Sequence, residues 1–334
     1  MTIGWAVVGC GWAAGDMCDA VAAAEGARIV VVRDRDLARA DAFAARYDAK
    51  RAASFEELLE VPDVDVVYVA LPHRLLEPTA ARAIAAGKHV LVEKPMALDV
   101  AGVHSLAAAA STRGVVAAPV FELRARPIAE EARSVVQSGS IGEVRAVRIR
   151  TVIDKPQSYW STAPWRARRA DAGGGILLMN AIHQLDLLRY VTGLEYESVV
   201  ADIATLHADV EVEDSGAAIF RLANGALVSL TAAAHSPGAV HEERIEIDGA
   251  LGRLDLPDPS SDTAAQLRLY SGGAWSERTC TGAGAYVTFV DGFLDAVRGV
   301  AQPPATPQDA AAALGAVAAV YRAAAEGVRV AVER

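Results

Sequence analysis

The sequence predicts an α/β protein: an N-terminal doubly wound parallel sheet, followed by an α+β region with a largely antiparallel open sheet. Two observations predict this class. Over roughly the first 120 residues, short apolar runs alternate with alanine-rich helical segments, and such alternation builds a parallel sheet with right-handed crossovers. Beyond that point, strand-like runs follow one another, and Asn224-Gly225 between two of them is typical of a hairpin turn.

The length of the chain indicates two domains. It has 334 residues, of which 52% are hydrophobic, and one core seldom serves so long a chain. We expect a first domain over residues 1–120, a second over 121–305, and a C-terminal helix and strand over 306–334 that pack back on the body. The formal net charge of -10 argues against nucleic acid and anionic membranes as partners, because phosphate groups bind to basic surfaces. A small-molecule substrate suits this charge better.

The sequence also predicts the compartment. No basic region with a cleavable apolar run follows Met1. The apolar stretch from Ala310 to Tyr321 is shorter than the roughly 20 residues of a membrane-spanning helix. Cys10, Cys18 and Cys280 have neither a disulfide nor a zinc spacing. We therefore expect a cytoplasmic protein without a metal site.

The first apolar run predicts the opening strand of a dinucleotide-binding unit. Ile3 to Val8 ends at a glycine turn, and an alanine-rich helical segment continues to Glu25. Gly9 permits the tight turn, and Gly11 lets the backbone approach a pyrophosphate that the amino end of the helix then faces. This pattern predicts a Rossmann fold. The residues of the turn that we expect to contact the cofactor are Gly9, Gly11, Trp12 and Ala13.

An acidic residue follows the second apolar run. Ile29 to Val32 leads to Asp34, about twenty residues after the glycine turn, where a carboxylate can accept hydrogen bonds from the adenosine ribose. This position favours NAD. Arg33 and Arg35 flank the acid, however, and a guanidinium there can accept the additional phosphate of NADP. The sequence thus predicts NAD and leaves NADP open, with Asp34 and Arg35 as cofactor contacts.

A lysine follows a later strand of the same sheet. His89 to Val92 is a short apolar strand, and Glu93-Lys94-Pro95 comes directly after it. Ligands of open α/β sheets bind beyond the carboxyl ends of the strands, so we expect Lys94 to point toward a substrate hydroxyl. The alternative is a solvated strand end at which the proline stops strand pairing. Further strands are expected at 66–71 and 115–119, with a helix over 77–86.

A glycine-led segment of the second domain carries a histidine. The glycines at 173–175 precede a helical run in which Met179, His183, Asp186 and Tyr190 fall on one face. On such a helix Asp186 could orient or polarise His183. A histidine on an apolar helix is more often a packed core residue, but the lysine triplet favours a catalytic one.

The rest of the second domain predicts a sheet and a terminal helix. Thr306 begins a long alanine-rich helix that Gly327 ends, and residues 328–332 follow as a strand. Strands are also expected at 199–204, 216–221, 227–232, 243–247 and 267–270. The charged residues that we interpret as solvated are Arg168, Arg169, Asp209, Glu211, Glu213 and Asp214.

Four motifs, in this order, resemble the Gfo/Idh/MocA family of NAD(P)-dependent oxidoreductases. They are the glycine turn, the Glu93-Lys94-Pro95 triplet, the Trp165-Arg166 pair and the glycine run that leads to His183. The resemblance covers nearly the whole chain. It implies an enzyme that interconverts hydroxyl and carbonyl groups on sugars or cyclitols, and it implies a homodimer or homotetramer.

The resemblance implies roles for individual residues. Lys94 matches the lysine that hydrogen-bonds the reacting oxygen, and His183 matches the histidine that exchanges its proton. A cis peptide bond between Lys94 and Pro95 is implied as well. Further residues expected to contact the cofactor are Leu71, Pro72, Glu93, Lys94, Trp165 and Arg166. Those expected near the substrate are Lys94, Glu122, Arg124, Asn180 and His183.

Two positions depart from the family pattern. Met179 stands where the family commonly has an aspartate or asparagine four residues before the histidine, which removes a hydroxyl ligand. Asn180 is adjacent but rotated by about 100° around a helix. Pro72-His73 differs from the family's usual asparagine and histidine, and His73 either compensates or is exposed.

The predicted activity is the NAD(P)-dependent interconversion of a secondary hydroxyl and a ketone on a sugar, aminosugar or cyclitol. The nicotinamide exchanges a hydride, His183 takes the hydroxyl proton and Lys94 stabilises the alkoxide. Two alternatives stay open. One is a non-catalytic sensor of dinucleotide and ligand, in keeping with Met179, and the other is a lyase or glycosidase that uses tightly bound NAD.

Overall fold

The computed structural model describes residues 2–236, 238, 241–260 and 265–333, and the chain divides into two compact units. The first comprises Met1–Glu122 and Gly284–Ala310, and the second comprises Leu123–Ala283 and Ala311–Arg334. The strands are β1 (Ile3–Val8), β2 (Ala27–Arg33), β3 (Lys50–Arg51), β4 (Val66–Val69), β5 (His89–Val92), β6 (Ala117–Pro119), β7 (Val144–Val152), β8 (Tyr196–Ala204), β9 (Ser215–Leu222), β10 (Leu227–Ala233), β11 (Glu242–Gly249), β12 (Gly252–Pro257), β13 (Ala265–Ser271), β14 (Ala274–Cys280) and β15 (Val330–Ala331). The α-helices are α1 (Trp12–Ala23), α2 (Leu37–Arg46), α3 (Phe55–Glu60), α4 (His73–Ala85), α5 (Val100–Arg113), α6 (Pro127–Gln137), α7 (Gln157–Ser161), α8 (Arg169–Ala172), α9 (Ile182–Thr192), α10 (Ala285–Val297) and α11 (Pro307–Glu326).

A six-stranded parallel sheet forms the centre of the first unit, in the order β3-β2-β1-β4-β5-β6. Every residue of β1 and of β4 is buried, as expected for parallel strands whose two faces are both covered by helices. The chain builds outward from β1 to β3 and then crosses to β4 on the other side of β1. The strand order therefore reverses between β1 and β4, and such a switch point opens a ligand crevice beyond the carboxyl ends of the strands.

Helix α10 belongs to the first unit, although we assigned residues 284–305 to the second domain on the sequence alone. It packs against α1, and the ring of Phe293 lies 5.5 Å from that of Trp5 on β1. Both rings are fully buried, so α10 completes the core of this unit. An apolar helix does not encode which sheet it covers, and that is why the sequence placed the boundary elsewhere.

A nine-stranded sheet forms the second unit, in the order β14-β13-β12-β11-β7-β10-β9-β8-β15. In the part of the chain that is described, β7 and β10 pair in parallel and the other neighbouring strands pair antiparallel. Burial alternates along β9 and β10, so one face is covered and the other is not. Helix α9 lies on the covered face, where it packs against β7 and α6.

The sequence analysis did not identify β3, β7, β12 and β14. In β7, the exposed Arg148 and Arg150 alternate with the buried side chains at 147, 149 and 151, which is the pattern of a half-buried strand. The sequence analysis also placed the start of α4 at 77, whereas the helix begins at His73. Pro78 lies inside the helix, and a proline is more usual in the first turn of a helix than in its interior. Among the described residues, no helix combines the length and the apolarity that crossing a membrane would require.

Candidate active site

The glycine turn after β1 has the geometry that a dinucleotide requires. Gly9 has a φ of +95°, and a Cβ atom there would lie 2.1 Å from the carbonyl oxygen of Ala70. The fold itself therefore requires glycine at position 9. At Gly11, by contrast, a Cβ would meet no described atom within 4 Å. Glycine there keeps open the space into which a pyrophosphate would pack, so the turn fits a bound dinucleotide.

The amino end of α1 emerges from the same turn. Gly11 is the N-cap residue, and the described structure shows neither a side-chain cap nor an acidic residue in the first turn of this helix. The N–H groups and the positive end of the helix dipole thus suit an anion. Trp12 begins the helix with 86% of its surface exposed, so its ring is accessible to a cofactor.

Asp34 is fixed beside the glycine turn. Its Oδ2 atom accepts a hydrogen bond from the N–H of Cys10 at 2.8 Å, and its Oδ1 atom accepts one from the N–H of Asp36 at 2.8 Å. Because a carboxylate has about four acceptor positions, both oxygens retain capacity for ribose hydroxyls. Arg35 is exposed at the same corner.

We expect Gly9→Ala and Gly11→Ala to separate folding from cofactor binding. Gly9→Ala forces a clash with Ala70 and a strained backbone, and should lower the free energy of unfolding by about 2 kcal/mol or more. Gly11→Ala should cost less than about 1 kcal/mol, as the loss of an N-cap glycine, and its main effect should be weaker NAD binding. Urea denaturation and NAD titration of both variants measure these effects. Unchanged NAD affinity in Gly11→Ala would contradict the assigned phosphate contact.

The residues expected at the cofactor in the first unit follow strands of one parallel sheet. Carboxyl ends of parallel strands meet at one edge, so the structure brings these residues to the edge where the strand order reverses. They are Gly9 after β1, Leu71 and Pro72 after β4, and Glu93 and Lys94 after β5, and Glu122, which we expect near the substrate, follows β6 at the same edge. His73, at the start of α4, is buried and not exposed.

The Glu93-Lys94-Pro95 triplet forms a tight turn. The peptide bond between Lys94 and Pro95 is cis, which confirms the prediction. The N–H of Met96 donates to the carbonyl oxygen of Glu93 at 3.0 Å. Pro95 and Met96 are buried, whereas Glu93 and Lys94 stay partly exposed. The buried Pro95 and Met96 thus anchor the turn, while the side chains of Glu93 and Lys94 remain at the carboxyl edge of the sheet.

Glu93 has an unusual electrostatic environment. Tyr68, on the neighbouring strand β4, donates its hydroxyl to Glu93 Oε1 at 2.7 Å. Burial raises the pKa of Glu93 to about 7, against the lowering effects of Lys94 and Tyr68, and Glu122 adds a further increase. A carboxyl group that titrates near neutral pH within a ligand crevice is typical of functional sites.

The second unit contains His183 in the first turn of α9, directly after a π-helical turn over Leu177–Ala181. We had predicted one continuous α-helix. A π turn holds an extra residue, so it changes the angular relation between residues before and after it, and such turns are frequent at functional sites. Within this turn, Asn180 Oδ1 is buried and accepts no hydrogen bond from the described residues.

Met179 is buried in the same turn. Only 5% of its surface is exposed, and its Sδ atom accepts the hydroxyl of Tyr159 at 3.8 Å. The Arg166 guanidinium lies 4.5 Å from the centre of the Tyr159 ring and 5.3 Å from that of Trp165. Position 179 is therefore part of an aromatic and cationic cluster in place of a carboxylate or amide.

The glycine run before His183 is required by close packing within the second unit. A Cβ atom on Gly174 would lie 1.9 Å from the hydroxyl oxygen of Tyr321, and one on Gly175 would lie 1.7 Å from the carbonyl oxygen of Glu213. At Gly175 the clash is with backbone, so no larger residue fits there, whereas a larger residue at Gly174 would have to displace the Tyr321 hydroxyl. The run therefore lets the helix that carries His183 begin in contact with α11 and with the chain before β9.

Glu213 caps that helix, which corrects our interpretation of it as solvated. Only 1% of its surface is exposed. Its carboxylate accepts from the N–H of Gly175 at 2.9 Å, from the N–H of Leu177 at 3.1 Å and from the Tyr321 hydroxyl at 2.9 Å. Burial raises the pKa of Glu213, and these hydrogen bonds oppose that rise. Glu213 thus fixes the start of the segment that presents His183.

Asp214 is also buried and not solvated, with 1% of its surface exposed. Its two carboxylate oxygens accept from the backbone N–H groups of Leu206, His207 and Ala208, at 2.7 to 2.9 Å. This carboxylate orders the chain before β9 by satisfying three consecutive backbone donors. The acidic pair therefore has structural roles that local composition did not reveal.

We expect Glu213→Gln to destabilise the protein by about 2–3 kcal/mol, because the amide NH₂ would face N–H donors that require an acceptor. The matched control is Glu197→Gln at an exposed position of β8, which should change the free energy of unfolding by less than about 0.5 kcal/mol. Urea denaturation of both variants checks the difference. Equal stabilities would show that Glu213 is not a required cap.

Asp186 also holds Arg124, a contact that the sequence analysis did not predict. Its Oδ2 atom accepts from Arg124 Nε at 2.7 Å and its Oδ1 atom accepts from Arg124 Nη2 at 2.6 Å. Arg124 is 7% exposed and Asp186 is 1% exposed. Asp186 is therefore a buried counterion of Arg124, and an orienting role toward His183 stays a prediction. A substrate contact by Arg124 stays a prediction.

One group of side chains in the second unit has the spacing of metal ligands within the described residues. The ligand atoms of His241, Glu243 and Asp258 lie within 4.8 Å of one another. His241 Nε2 and Glu243 Oε2 are 3.1 Å apart, and Gln184 Nε2 donates to Glu243 Oε1 at 2.9 Å. A histidine–glutamate ion pair accounts for this arrangement.

Two family models match the chain, one for each unit. The NAD-binding Rossmann fold of the oxidoreductase family matches residues 3–121, and the Gfo/Idh/MocA C-terminal domain matches residues 129–255. The chain belongs to the Gfo/Idh/MocA family. It is accordingly an NAD(P)-dependent oxidoreductase with an NAD-binding Rossmann domain.

Relatives in the Gfo/Idh/MocA family support this assignment. The 1,5-anhydro-D-fructose reductase of Ensifer adhaerens is 29% identical over 326 residues, which is 97% of this chain and 96% of the relative. The trans-1,2-dihydrobenzene-1,2-diol dehydrogenase of Bos taurus is 31% identical over 70% of this chain and 67% of the relative. The crystal structure of the WlbA dehydrogenase from Bordetella pertussis, in complex with NADH and UDP-GlcNAcA, is 26% identical with a TM-score of 0.88, over 100% of each chain.

Sequence reasoning missed several residues that hold the candidate functional residues of each unit in place. Tyr68 was not singled out, although it is a tyrosine within the otherwise all-valine strand β4. Glu213 and Tyr321 were missed because their partners are far away in the sequence. The signal for Tyr68 was local and could have been found. The long-range contacts of Glu213 and Tyr321 had no such local signal in the sequence.

Proposed function

We propose that this protein interconverts a secondary hydroxyl and a ketone on a sugar, aminosugar or cyclitol. The observation that carries the proposal is the position of Lys94, just beyond the carboxyl end of β5 in the parallel sheet, at the edge where the glycine turn also lies. Relatives that are named as a 1,5-anhydro-D-fructose reductase and a dihydrodiol dehydrogenase support a hydroxyl or carbonyl substrate.

The residues of this chain would act as follows. The N–H groups at the start of α1 and the space over Gly11 bind the pyrophosphate, and Asp34 accepts from the adenosine ribose. Bound NAD supplies the hydride acceptor. Lys94 donates a hydrogen bond to the reacting oxygen and stabilises its negative charge, and His183 takes the hydroxyl proton or returns it in the reverse direction. Asn180 Oδ1 would accept from a further substrate hydroxyl.

The coenzyme preference follows from the corner at Asp34. A carboxylate fixed by two backbone N–H groups would repel the 2′-phosphate of NADP, so we propose NAD as the preferred coenzyme. The exposed Arg35 is the residue through which NADP could still bind. The dissociation constants of the two coenzymes, measured side by side, test this preference.

The experiment that tests the function begins with NAD and NADP titration into the purified protein. A panel of sugars, aminosugars and cyclitols is then scanned for the appearance of reduced coenzyme by absorbance. We expect turnover with at least one compound and release of NADH. Tight coenzyme binding without turnover on any compound would instead favour the sensor, which the buried Met179 makes the second candidate. Product formation without NADH release would favour a lyase or glycosidase.

We also propose a cytoplasmic homodimer or homotetramer. The thiols of Cys10, Cys18 and Cys280 are all free and buried, which suits a reducing compartment. The uncovered face of the nine-stranded sheet exposes Ile219 and Leu227 at 46% and 44%, as a subunit interface would require. Light scattering of the purified protein measures the oligomeric state.

A further inference from the structure

The hydroxyl of Tyr68 lies between the two motifs of the first unit. Tyr68 is fully buried on β4, and β4 pairs in parallel with β5. Its oxygen is 2.7 Å from Glu93 Oε1 and 3.4 Å from the carbonyl oxygen of Ala13, in the first turn of α1. One hydroxyl therefore reaches both the glycine turn and the Glu93-Lys94-Pro95 triplet.

A single hydroxyl proton gives this arrangement two hydrogen-bonding states. When Glu93 is ionised, Tyr68 donates to the carboxylate across the 2.7 Å distance. When Glu93 is protonated, the acid can donate to the tyrosine oxygen, and the tyrosine proton can turn toward Ala13. Both states are satisfied, so the structure accommodates Glu93 with or without its proton.

Groups with opposing effects on the pKa of Glu93 surround the Tyr68–Glu93 pair. Lys94 on the same turn favours the carboxylate, Glu122 after β6 opposes it, and burial raises the pKa of Glu93 to about 7. Burial, with Glu93, Cys18 of α1 and Tyr286 of α10, raises the pKa of Tyr68 well above its ordinary value. Tyr68 therefore keeps its proton, and one additional charge beside Glu93 would decide whether Glu93 keeps its own.

The nicotinamide ring supplies such a charge, because it is positive in the oxidised dinucleotide and neutral in the reduced one. We propose that Glu93, held by Tyr68, distinguishes the two oxidation states: it gives up a proton when oxidised dinucleotide binds and keeps it when reduced dinucleotide binds. This inference rests on the proposed function, since it needs the nicotinamide beyond the carboxyl end of β5. The released proton goes to solvent, and no bond of the cofactor changes.

The direction of the pH effect follows from this exchange. Below pH 7, Glu93 is mostly protonated in the unliganded protein, so binding of NAD must expel a proton. The affinity for NAD should fall about tenfold between pH 8 and pH 6. The affinity for NADH should stay constant over the same range, because binding of NADH expels no proton.

Isothermal titration calorimetry tests the inference on the full-length protein. Titrations of NAD and of NADH, each in buffers of different ionisation enthalpy between pH 6 and pH 8, count the protons released. We expect release of up to one proton with NAD near pH 6 and none with NADH. In Glu93→Gln the release should vanish, and the ratio of the two dissociation constants should become independent of pH.

Two further variants complete the test. Tyr68→Phe removes the donor that favours the carboxylate, so its proton release should extend to higher pH. Glu60→Gln, at an exposed acid of α3, is the matched control and should behave as the wild type does. Equal proton release by wild type and Glu93→Gln, or equal pH dependence for NAD and NADH, would overturn the inference while leaving the proposed function intact. Failure of both coenzymes to bind would overturn both.

Discussion

Replacing Lys94 by methionine is expected to lower kcat by about 10³-fold while NAD still binds with nearly wild-type affinity. Methionine keeps much of the length of the side chain and removes its ammonium group, so the variant loses the charge that stabilises the oxygen in the transition state. The turn should survive, because its buried anchors are Pro95 and Met96. Steady-state kinetics on the best substrate of the panel, with NAD titration by protein fluorescence, measures both quantities.

The matched control for this variant is Lys50→Met. Lys50 is exposed on β3, at the opposite end of the same sheet, and its replacement should leave kcat unchanged. A Lys94→Met protein with full turnover would remove Lys94 from the mechanism. A loss of NAD affinity as large as the loss of kcat would instead make Lys94 a coenzyme contact without a role in transition-state stabilisation.

Replacing His183 by alanine is the second change with a large expected effect. We expect kcat to fall by about 10²- to 10⁴-fold, because no group would then exchange the hydroxyl proton in the transition state. His183 is partly exposed in the first turn of α9, so its removal leaves the cap at Glu213 in place. Imidazole added to the assay should restore part of the activity, which a structural histidine would not allow.

The control for His183→Ala is His104→Ala, at an exposed position of α5. It should retain wild-type turnover and should not respond to imidazole. Thermal unfolding of both variants checks that the fold is kept. If His183→Ala turned over substrate at the wild-type rate, another group would have to exchange the hydroxyl proton. The catalytic role that the family resemblance implies for His183 would then be wrong.

Some site residues were predictable because their signals are local. Gly9 and Gly11 lie in a turn between an apolar strand and a helix, and Lys94 directly follows a short strand. The carboxyl ends of parallel strands share an edge whatever the details of packing. Alternation of strands and helices was therefore sufficient to place these residues at one edge of the Rossmann sheet.

Other residues had no local signal. The role of Glu213 depends on N–H groups 36 to 38 residues away and on Tyr321, 108 residues away. Asp186 was assigned to His183 because the two are helical neighbours, and nothing near it in the sequence indicated that its carboxylate also holds Arg124, 62 residues distant. A carboxylate binds whichever donor the packed fold presents, and the sequence around it does not say which.

The sequence by itself determined the two kinds of sheet, the dinucleotide turn, the lysine triplet and the family. Each of these depends on hydrophobic periodicity or on residues that are adjacent in the chain. Only the tertiary structure decided that α10 completes the first unit, that a π turn precedes His183, and that Tyr68 holds Glu93. The physical reason is that burial, close packing and pKa depend on which distant groups come into contact, and those contacts form only when the chain is folded.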